Sequence, residues 1–294
     1  MTKPLIGVMG GSGLFQMDAL TDTQEHRIDT PFGRPSDIIV TGQIGDARVA
    51  FLARHGRGHR LIPTEVPYRA NIYAMKSLGV RYLISISAVG SLQENIRPLD
   101  MVLPDQFIDL TKHRTSTFFG DGAVAHVSMA QPVCPSLSAL LAQAIGDQNF
   151  TDLKLHKGGT YVCIEGPAFS SVAESQWFRS MGASIIGMTN MPEAKLAREA
   201  QIAYATLALV TDYDCWHPKE AHVTANMAIA NLMKNAEHAQ RVLVSAISLV
   251  SHASPISIAH DALVSGLVSP IEAMPEEVRK RIDVLLQTEH AAAD

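Results

Sequence analysis

Charge, aromatic rings and cysteine are all scarce in this sequence. Of its 294 residues, 18% are charged and 6% aromatic, and there are three cysteines. Cys134, Cys163 and Cys215 lie far apart. An odd, sparse set of this kind excludes a disulfide framework and suits a reducing compartment. No apolar run approaches the roughly 18 residues that a membrane-spanning helix needs. The N-terminal MTKPLIGVMGGSG runs from a short apolar stretch straight into a glycine loop, without the apolar length or cleavage site of a signal peptide. The net charge of -5 comes from acids and bases mixed along the chain, so there is no basic stripe of the kind nucleic acid requires. Internal repeats, low-complexity tracts and linkers are missing too. What these absences leave is the expectation of a cytoplasmic globular protein, with no membrane and no nucleic acid among its partners. The hydrophobic share of 47% is enough for a sizeable core.

Strand-length apolar runs alternate with helix-length segments. Strands are predicted at Leu5 to Met9, Asp37 to Thr41, Ala47 to Ala53, Val80 to Ala88, Val102 to Ile108, Tyr161 to Ile164, Ala183 to Met188 and Ile202 to Val210. The second and third of these form a hairpin around Gly45-Asp46. Helices are predicted from Pro67 to Leu78, Ser136 to Ile145, Ser171 to Met181, Pro192 to Ala200, His222 to Val250 and Pro275 to Gln287. Ile202 to Val210 is apolar throughout, so both of its faces should be covered. The alternation predicts a single α/β domain over 1–294, with a central mixed sheet flanked by helices. A C-terminal tail from about residue 252 has no evident role.

Six segments carry chemistry, most of them where a strand ends, which is where ligands gather in α/β sheets. Gly10-Gly11-Ser12-Gly13 can turn backbone N–H groups and a hydroxyl on an anion, or simply be a tight turn. It is neither a P-loop nor a dinucleotide fingerprint, because no Gly-Lys-Ser/Thr follows and Gln16 stands where a third glycine is needed. Arg54-His55-Gly56-Arg57-Gly58-His59-Arg60 gathers three arginines and two histidines, an oxyanion trap or a solvated basic loop. A metal held by His55 and His59 is disfavoured, since glycines break any helix aligning them and three cations would repel the ion. Arg-His-Gly also resembles the signature of phosphohistidine phosphatases, although there it ends the first strand. Ser85 to Ser91 and Gly187 to Glu193 offer hydroxyls, with Ser87 and Thr189 foremost. Glu165 to Ser170 offers Phe169 to a flat ligand, or to the core. Thr211 to Trp216 delivers two carboxylates, Asp212 and Asp214, to one loop, where like charge can raise one pKa.

Taken in order, GGSGL, TPFGRPSD, LARHGRGH, VPYRANIYAMK, SAVGSL, DQFID, YVCIEGPAFSS, GMTNMPE and TDYDCWH resemble the trimeric nucleoside phosphorylase family, and within it the branch acting on 5'-methylthioadenosine. The resemblance runs from about Ile6 to about Leu249. It implies phosphate-dependent cleavage of S-methyl-5'-thioadenosine to adenine and S-methyl-5-thio-α-D-ribose 1-phosphate, a step of purine and methionine salvage. It implies phosphate contacts at Ser12, Arg54, His55, Ser87, Ala88 and Thr189. Base and sugar contacts fall on Phe169, Met188, Asp212 and Asp214, and Asp212 is the acid for the leaving base. Ser170 and Ala225 are tied to specificity, and His126 reaches a neighbouring subunit's site in a homotrimer or dimer of trimers. Neither metal nor organic cofactor is implied; phosphate is a co-substrate. Ser12 and Ser87 stand where relatives often have Thr, Ala168 where Arg is common, Gly187 in place of an Asn, and Ala225 in place of Val. The alternatives are a 6-oxopurine nucleoside or methylthioinosine phosphorylase, a phosphohistidine phosphatase, and a nucleoside-binding sensor.

Overall fold

The structure, a computed structural model, describes residues 5–11, 17–220 and 222–287. Its strands in chain order are β1 (Leu5–Gly10), β2 (Leu20–His26), β3 (Ile39–Ile44), β4 (Ala47–Ala53), β5 (Val80–Ser91), β6 (Met101–Leu103), β7 (Gln106–Leu110), β8 (Leu155–Lys157), β9 (Thr160–Ile164), β10 (Ile185–Gly187) and β11 (Ala203–Asp212). The helices are α1 (Tyr68–Ser77), α2 (Pro135–Asp147), α3 (Val172–Ser180), α4 (Asn190–Glu199), α5 (Ala225–Ala253), α6 (Ala262–Gly266) and α7 (Glu276–Leu286). All the strands join one mixed sheet, as the alternation predicts.

The centre of the sheet is parallel: β4, β1, β5 and β11 lie side by side with their C-terminal ends together. Every residue of β11 is buried, because helices cover both faces. Tyr204, Ala208 and Val210 face the layer built by α1, α4 and α7. Ala203, Ala205, Leu207 and Leu209 face α2 and α5. β5 runs three residues beyond its predicted end, and these extra residues have a use. Gly90 and Ser91 pair antiparallel with Ile186 and Ile185 of β10. That pairing turns the loop after β10 towards the end of β5.

Three strand expectations change, one of them through the short β8, which was not predicted. The run Val102 to Ile108 is not one strand: it breaks at Pro104, which has no N–H for a ladder, into β6 and β7. β6 then pairs with β11 and β8, whereas β7 pairs with β9. β2 was not expected at all. Its sequence LTDTQEH lacks an apolar face because it is an edge strand with both sides largely in solvent.

The C-terminal segment is integral to the core. Val278, Ile282 and Leu285 of α7 are buried in the same cluster as Ile72 and Met75 of α1. The Leu285 carbonyl accepts a hydrogen bond from Gln201 Nε2 at 3.0 Å. Ile282 is fully buried, so Ile282→Ala should cost about 2–4 kcal/mol through lost burial and the cavity left behind. Urea denaturation would measure this; a loss below about 0.5 kcal/mol would mean that α7 is only loosely attached.

Candidate active site

Because β4 and β1 pair Ala53 with Gly10, the chain leaves β4 at the heart of the sheet edge. Arg54 is the first residue out, and its side chain turns inward. Its Nε donates to Glu193 Oε2 at 2.6 Å and its Nη2 to Glu193 Oε1 at 3.1 Å. Nη2 also donates to Ser85 Oγ at 2.6 Å and the Met9 carbonyl at 3.2 Å, and Nη1 to the Ile86 carbonyl at 2.9 Å. Ser85 and Tyr204 hydroxyls donate to Glu193 Oε1 at 2.6 and 2.9 Å, completing its shell. Burial works against the guanidinium's charge, but Glu193 outweighs it and holds the group above its ordinary range. One Nη1 hydrogen is left without a partner among the described residues.

The basic segment does not close as a trap of three arginines. Gly56 and Gly58 take φ of 72° and 76° and reverse the chain twice. Arg57 is thrown outward to Glu25 and Asp37, and Arg60 to the Ser36 carbonyl. His55 stays inside, its ring stacked on His59 with centroids 4.2 Å apart. His55 Nδ1 lies 2.9 Å from the Leu61 carbonyl, which can only accept, so Nδ1 carries the proton. Burial, with Arg54 beside it, pushes the imidazole down to about 4. A neutral ring in this tautomer presents Nε2 as an acceptor.

Ser87 and Thr189 meet at the end of β5. Their hydroxyls are 3.3 Å apart, and Tyr161 Oη lies 3.1 Å from Ser87 Oγ. Thr189 precedes α4 but its hydroxyl makes no capping bond to that helix. Ala88, the next residue along β5, is exposed. Ser12, the remaining expected phosphate contact, lies outside the described residues.

The acidic loop sits on the adjoining strand, where Asp212 pairs with Gly90. A Cβ on Gly90 would stand 2.8 Å from Asp212 Oδ1, so glycine makes room for the carboxyl. Asp212 Oδ1 accepts from the Asp214 N–H at 2.8 Å. Its Oδ2 is 2.6 Å from Thr211 Oγ1, which is also 3.2 Å from the Val89 carbonyl. Thr211 has one proton for two acceptors, and a proton on Asp212 satisfies both contacts. Burial, more than the charge of Asp214, raises the Asp212 pKa, so desolvation dominates where like charge was expected to. Asp214 is also raised by burial, while the Ser175 and Ser170 hydroxyls hold it back.

The ring of Phe169 is 43% exposed and therefore not core. Ser170 is tied to the acidic loop through its carbonyl, 3.2 Å from Cys215 Sγ. Met188 packs its sulfur against Gly166, joining the Phe169 loop to the Thr189 loop. Ala225 is the exposed first residue of α5, next to the capping Thr224. His126 is exposed and held by its N–H to the Gly266 carbonyl at 2.7 Å. No described hydrogen bond or ring contact links it to the other candidates. Among the described residues no three His, Cys, Asp or Glu side chains converge as a metal ion would need.

Arg114 and Glu193 escaped the sequence reading. Arg114 Nη1 donates to the Met188 and Met191 carbonyls, both at 2.7 Å, and Nη2 to the Glu165 carbonyl at 2.6 Å. Its Nε meets Glu165 Oε1 at 3.2 Å. One guanidinium thus fastens the loops carrying Phe169, Met188 and Thr189. Nothing in KHRTST marks it, because its partners are carbonyls far away in sequence. Glu193 could have been suspected as an acid inside an otherwise apolar helix face.

Residues 5–248 match the model of the phosphorylase superfamily. The chain belongs to the phosphorylase superfamily. More particularly, it is 58% identical to an S-methyl-5'-thioadenosine phosphorylase of Thermosynechococcus vestitus, over 96% of this chain and 97% of that protein. A crystal structure of a methylthioadenosine phosphorylase from an Antarctic soil metagenomic library superposes with a TM-score of 0.93 at 61% identity, covering 98% of this chain and 100% of the other. A methylthioadenosine phosphorylase from Schistosoma mansoni, in complex with adenine, gives 0.81 at 37% identity, over 85% and 93%.

The His55 environment has a consequence for stability. The imidazole protonates near 6.5 in the unfolded chain and only at about 4 in the folded one. Between these values the unfolded chain binds more protons, so stability falls as pH falls through that window. Replacing His55 with Gln should flatten the pH–stability curve between about 6.5 and 4. Chemical denaturation at several pH values measures this, and an unchanged slope would show that His55 is not held neutral.

Proposed function

We propose that this protein cleaves S-methyl-5'-thioadenosine with inorganic phosphate, giving adenine and S-methyl-5-thio-α-D-ribose 1-phosphate. The observation carrying the proposal is the placement of two kinds of group on adjoining strand ends. Ser87 and Thr189 bring their hydroxyls together, His55 follows β4 with its Nε2 left as an acceptor, and Asp212 ends β11; in this reading Ser87, Thr189 and His55 make the phosphate cradle. The relatives bearing the same name match nearly the whole chain.

In this reading phosphate lies in the cradle with Ser87, Thr189 and the backbone at Ala88 donating to it. The free Nη1 hydrogen of Arg54 and the hydroxyl of Ser12 add to these donors. His55 Nε2 accepts the hydroxyl proton of hydrogen phosphate, leaving its bare oxygens for the donors and for attack. Breaking the N-glycosidic bond builds positive charge on the ribosyl ring. The phosphate dianion stabilises that charge best if it is not itself neutralised. The Arg54–Glu193 pair and the neutral His55 meet this need, since neither adds a net positive charge. Attack from the opposite face inverts the anomeric carbon. Asp212, whose pKa burial raises, gives its proton to N7 of the leaving adenine in place of Thr211 and accepts from the 6-amino group. Phe169 lies against the base, and Met188 and Asp214 frame base and sugar. Ser170 and Ala225 tune the base and 5' sides. No organic cofactor or metal takes part.

The phosphohistidine alternative needs the arginine of Arg-His-Gly to face phosphate freely, whereas Arg54 is engaged with Glu193. A homotrimer, alone or paired, is the assembly this reading favours. Val124, Val264 and Val268 are 41%, 76% and 58% exposed, and they surround the His126 segment. Burying such side chains on a neighbour would bring His126 to its site. The free, buried cysteines suit a cytoplasmic enzyme.

Base release from methylthioadenosine should therefore require phosphate; equal turnover without it would identify a hydrolase instead. Asp212→Asn should lower kcat/KM for methylthioadenosine and shift preference towards methylthioinosine. A 6-oxopurine leaves a buried acceptor facing the wild-type carboxyl unpaired, worth about 1–3 kcal/mol, or roughly one to two orders of magnitude. If the ratio of kcat/KM for the two nucleosides is unchanged in the variant, Asp212 does not touch the base.

A further inference from the structure

Tyr161 lies near the start of β9, wholly buried, with its ring 5.7 Å from that of Phe107. It would pass for an ordinary core aromatic but for the place its hydroxyl reaches. A Cβ built on Gly187 of β10 would overlap that hydroxyl. Gly187 does not have a positive φ, so conformation does not call for glycine there; space does. The missing side chain opens a passage through the sheet edge. Tyr161 Oη uses it to arrive 3.1 Å from Ser87 Oγ.

Ser87 has one proton and three oxygens in reach: Tyr161 Oη at 3.1 Å, Thr189 Oγ1 at 3.3 Å and the Ala88 carbonyl at 3.4 Å. Left to itself, a serine hydroxyl rotates among such partners, and its proton can turn inward, away from a ligand. A phenol is a stronger donor than an alkyl hydroxyl. Tyr161 Oη lies beside Ser87 Oγ and is also within reach of the Thr189 backbone N–H and hydroxyl, which can donate to it. With the Tyr161 proton on Ser87 Oγ, an inward-facing lone pair is occupied and the serine proton is free to point outward. Burial keeps the phenol neutral, so this proton is available throughout the working pH range.

We infer that Tyr161 is a positioning residue for the co-substrate: its hydroxyl, admitted by Gly187, donates to Ser87 and fixes that serine as a donor to phosphate. The inference rests on the reading of Ser87 as a phosphate contact. It assigns a function to the departure at position 187, where an asparagine would close the passage.

Tyr161→Phe keeps the ring and its packing and removes one oxygen. Steady-state kinetics with phosphate and methylthioadenosine varied separately should show the phosphate KM raised on the order of 3- to 10-fold. The nucleoside KM and the melting temperature should stay close to wild type. Ser87→Ala alone should also raise the phosphate KM. In the Ser87→Ala background, Tyr161→Phe should raise the phosphate KM by a smaller factor than in wild type, because the part of its effect that runs through Ser87 is gone. If Ser87→Ala leaves the phosphate KM unchanged, the reading of Ser87 fails, and the inference with it. If Ser87→Ala has its effect but Tyr161→Phe changes nothing, or moves both KM values together, or costs the same in both backgrounds, Tyr161 is a core residue and no more.

Discussion

The ion pair between Arg54 and Glu193 is the constraint on which the rest of the site depends. Both side chains are almost completely excluded from solvent, at 2% and 0% exposure. Isolating either charge would cost several kcal/mol, so the protein surrounds them with donors and acceptors from three strands. Met9 lies in β1, Ser85 and Ile86 in β5, and Tyr204 in β11. Glu193 arrives from α4, only four residues after Thr189. The pair therefore sets the distance between the end of β5 and the start of α4. That distance places Ser87 opposite Thr189.

Burial sets the electrostatics of the site in one direction. It lowers His55 and raises Asp212, Asp214 and Tyr161, each towards its uncharged form. Arg54, the exception, is matched by Glu193. Burial therefore disfavours charge on each of the other groups before ligands enter. In such surroundings an incoming anion becomes the dominant local charge, which is what an electron-deficient ribosyl ring requires of its nucleophile. A loop of free arginines would bind phosphate more tightly and catalyse less well, because it would stabilise the ground state as much as the transition state.

The sequence made the central strands legible because their apolar runs are long and their neighbours are helices with clear stops. β11 is the clearest case. The same signal failed at β2, whose solvated edge carries no apolar pattern, and at Val102 to Ile108, where Pro104 was overlooked inside an apolar run. For the site, resemblance named the positions, and the structure supplies their surroundings. Arg54 and His55 were read as part of a cationic cluster because sequence shows neighbours along the chain and not partners across it. Glu193 lies 139 positions from Arg54, and Arg114 binds carbonyls that any residue could provide. Spacing hints at Glu193, an acid on an apolar helix face, but names no partner for it and gives no sign of Arg114. Tyr161 was read as strand and nothing else, since its role depends on a side chain that Gly187 lacks.

Under the proposed function, the candidate residues fall into two mechanical classes. Ser87, Thr189 and Asp212 are buried, and exchanging them disturbs the core. Phe169 and Ala225 are exposed. Substitutions at such surface positions typically change stability by less than about 0.5 kcal/mol. Mutational drift can thus sample new base and 5' contacts at little structural risk while the bond-breaking apparatus stays intact. A lineage built on this scaffold can exchange one nucleoside for another long before it could exchange one reaction for another.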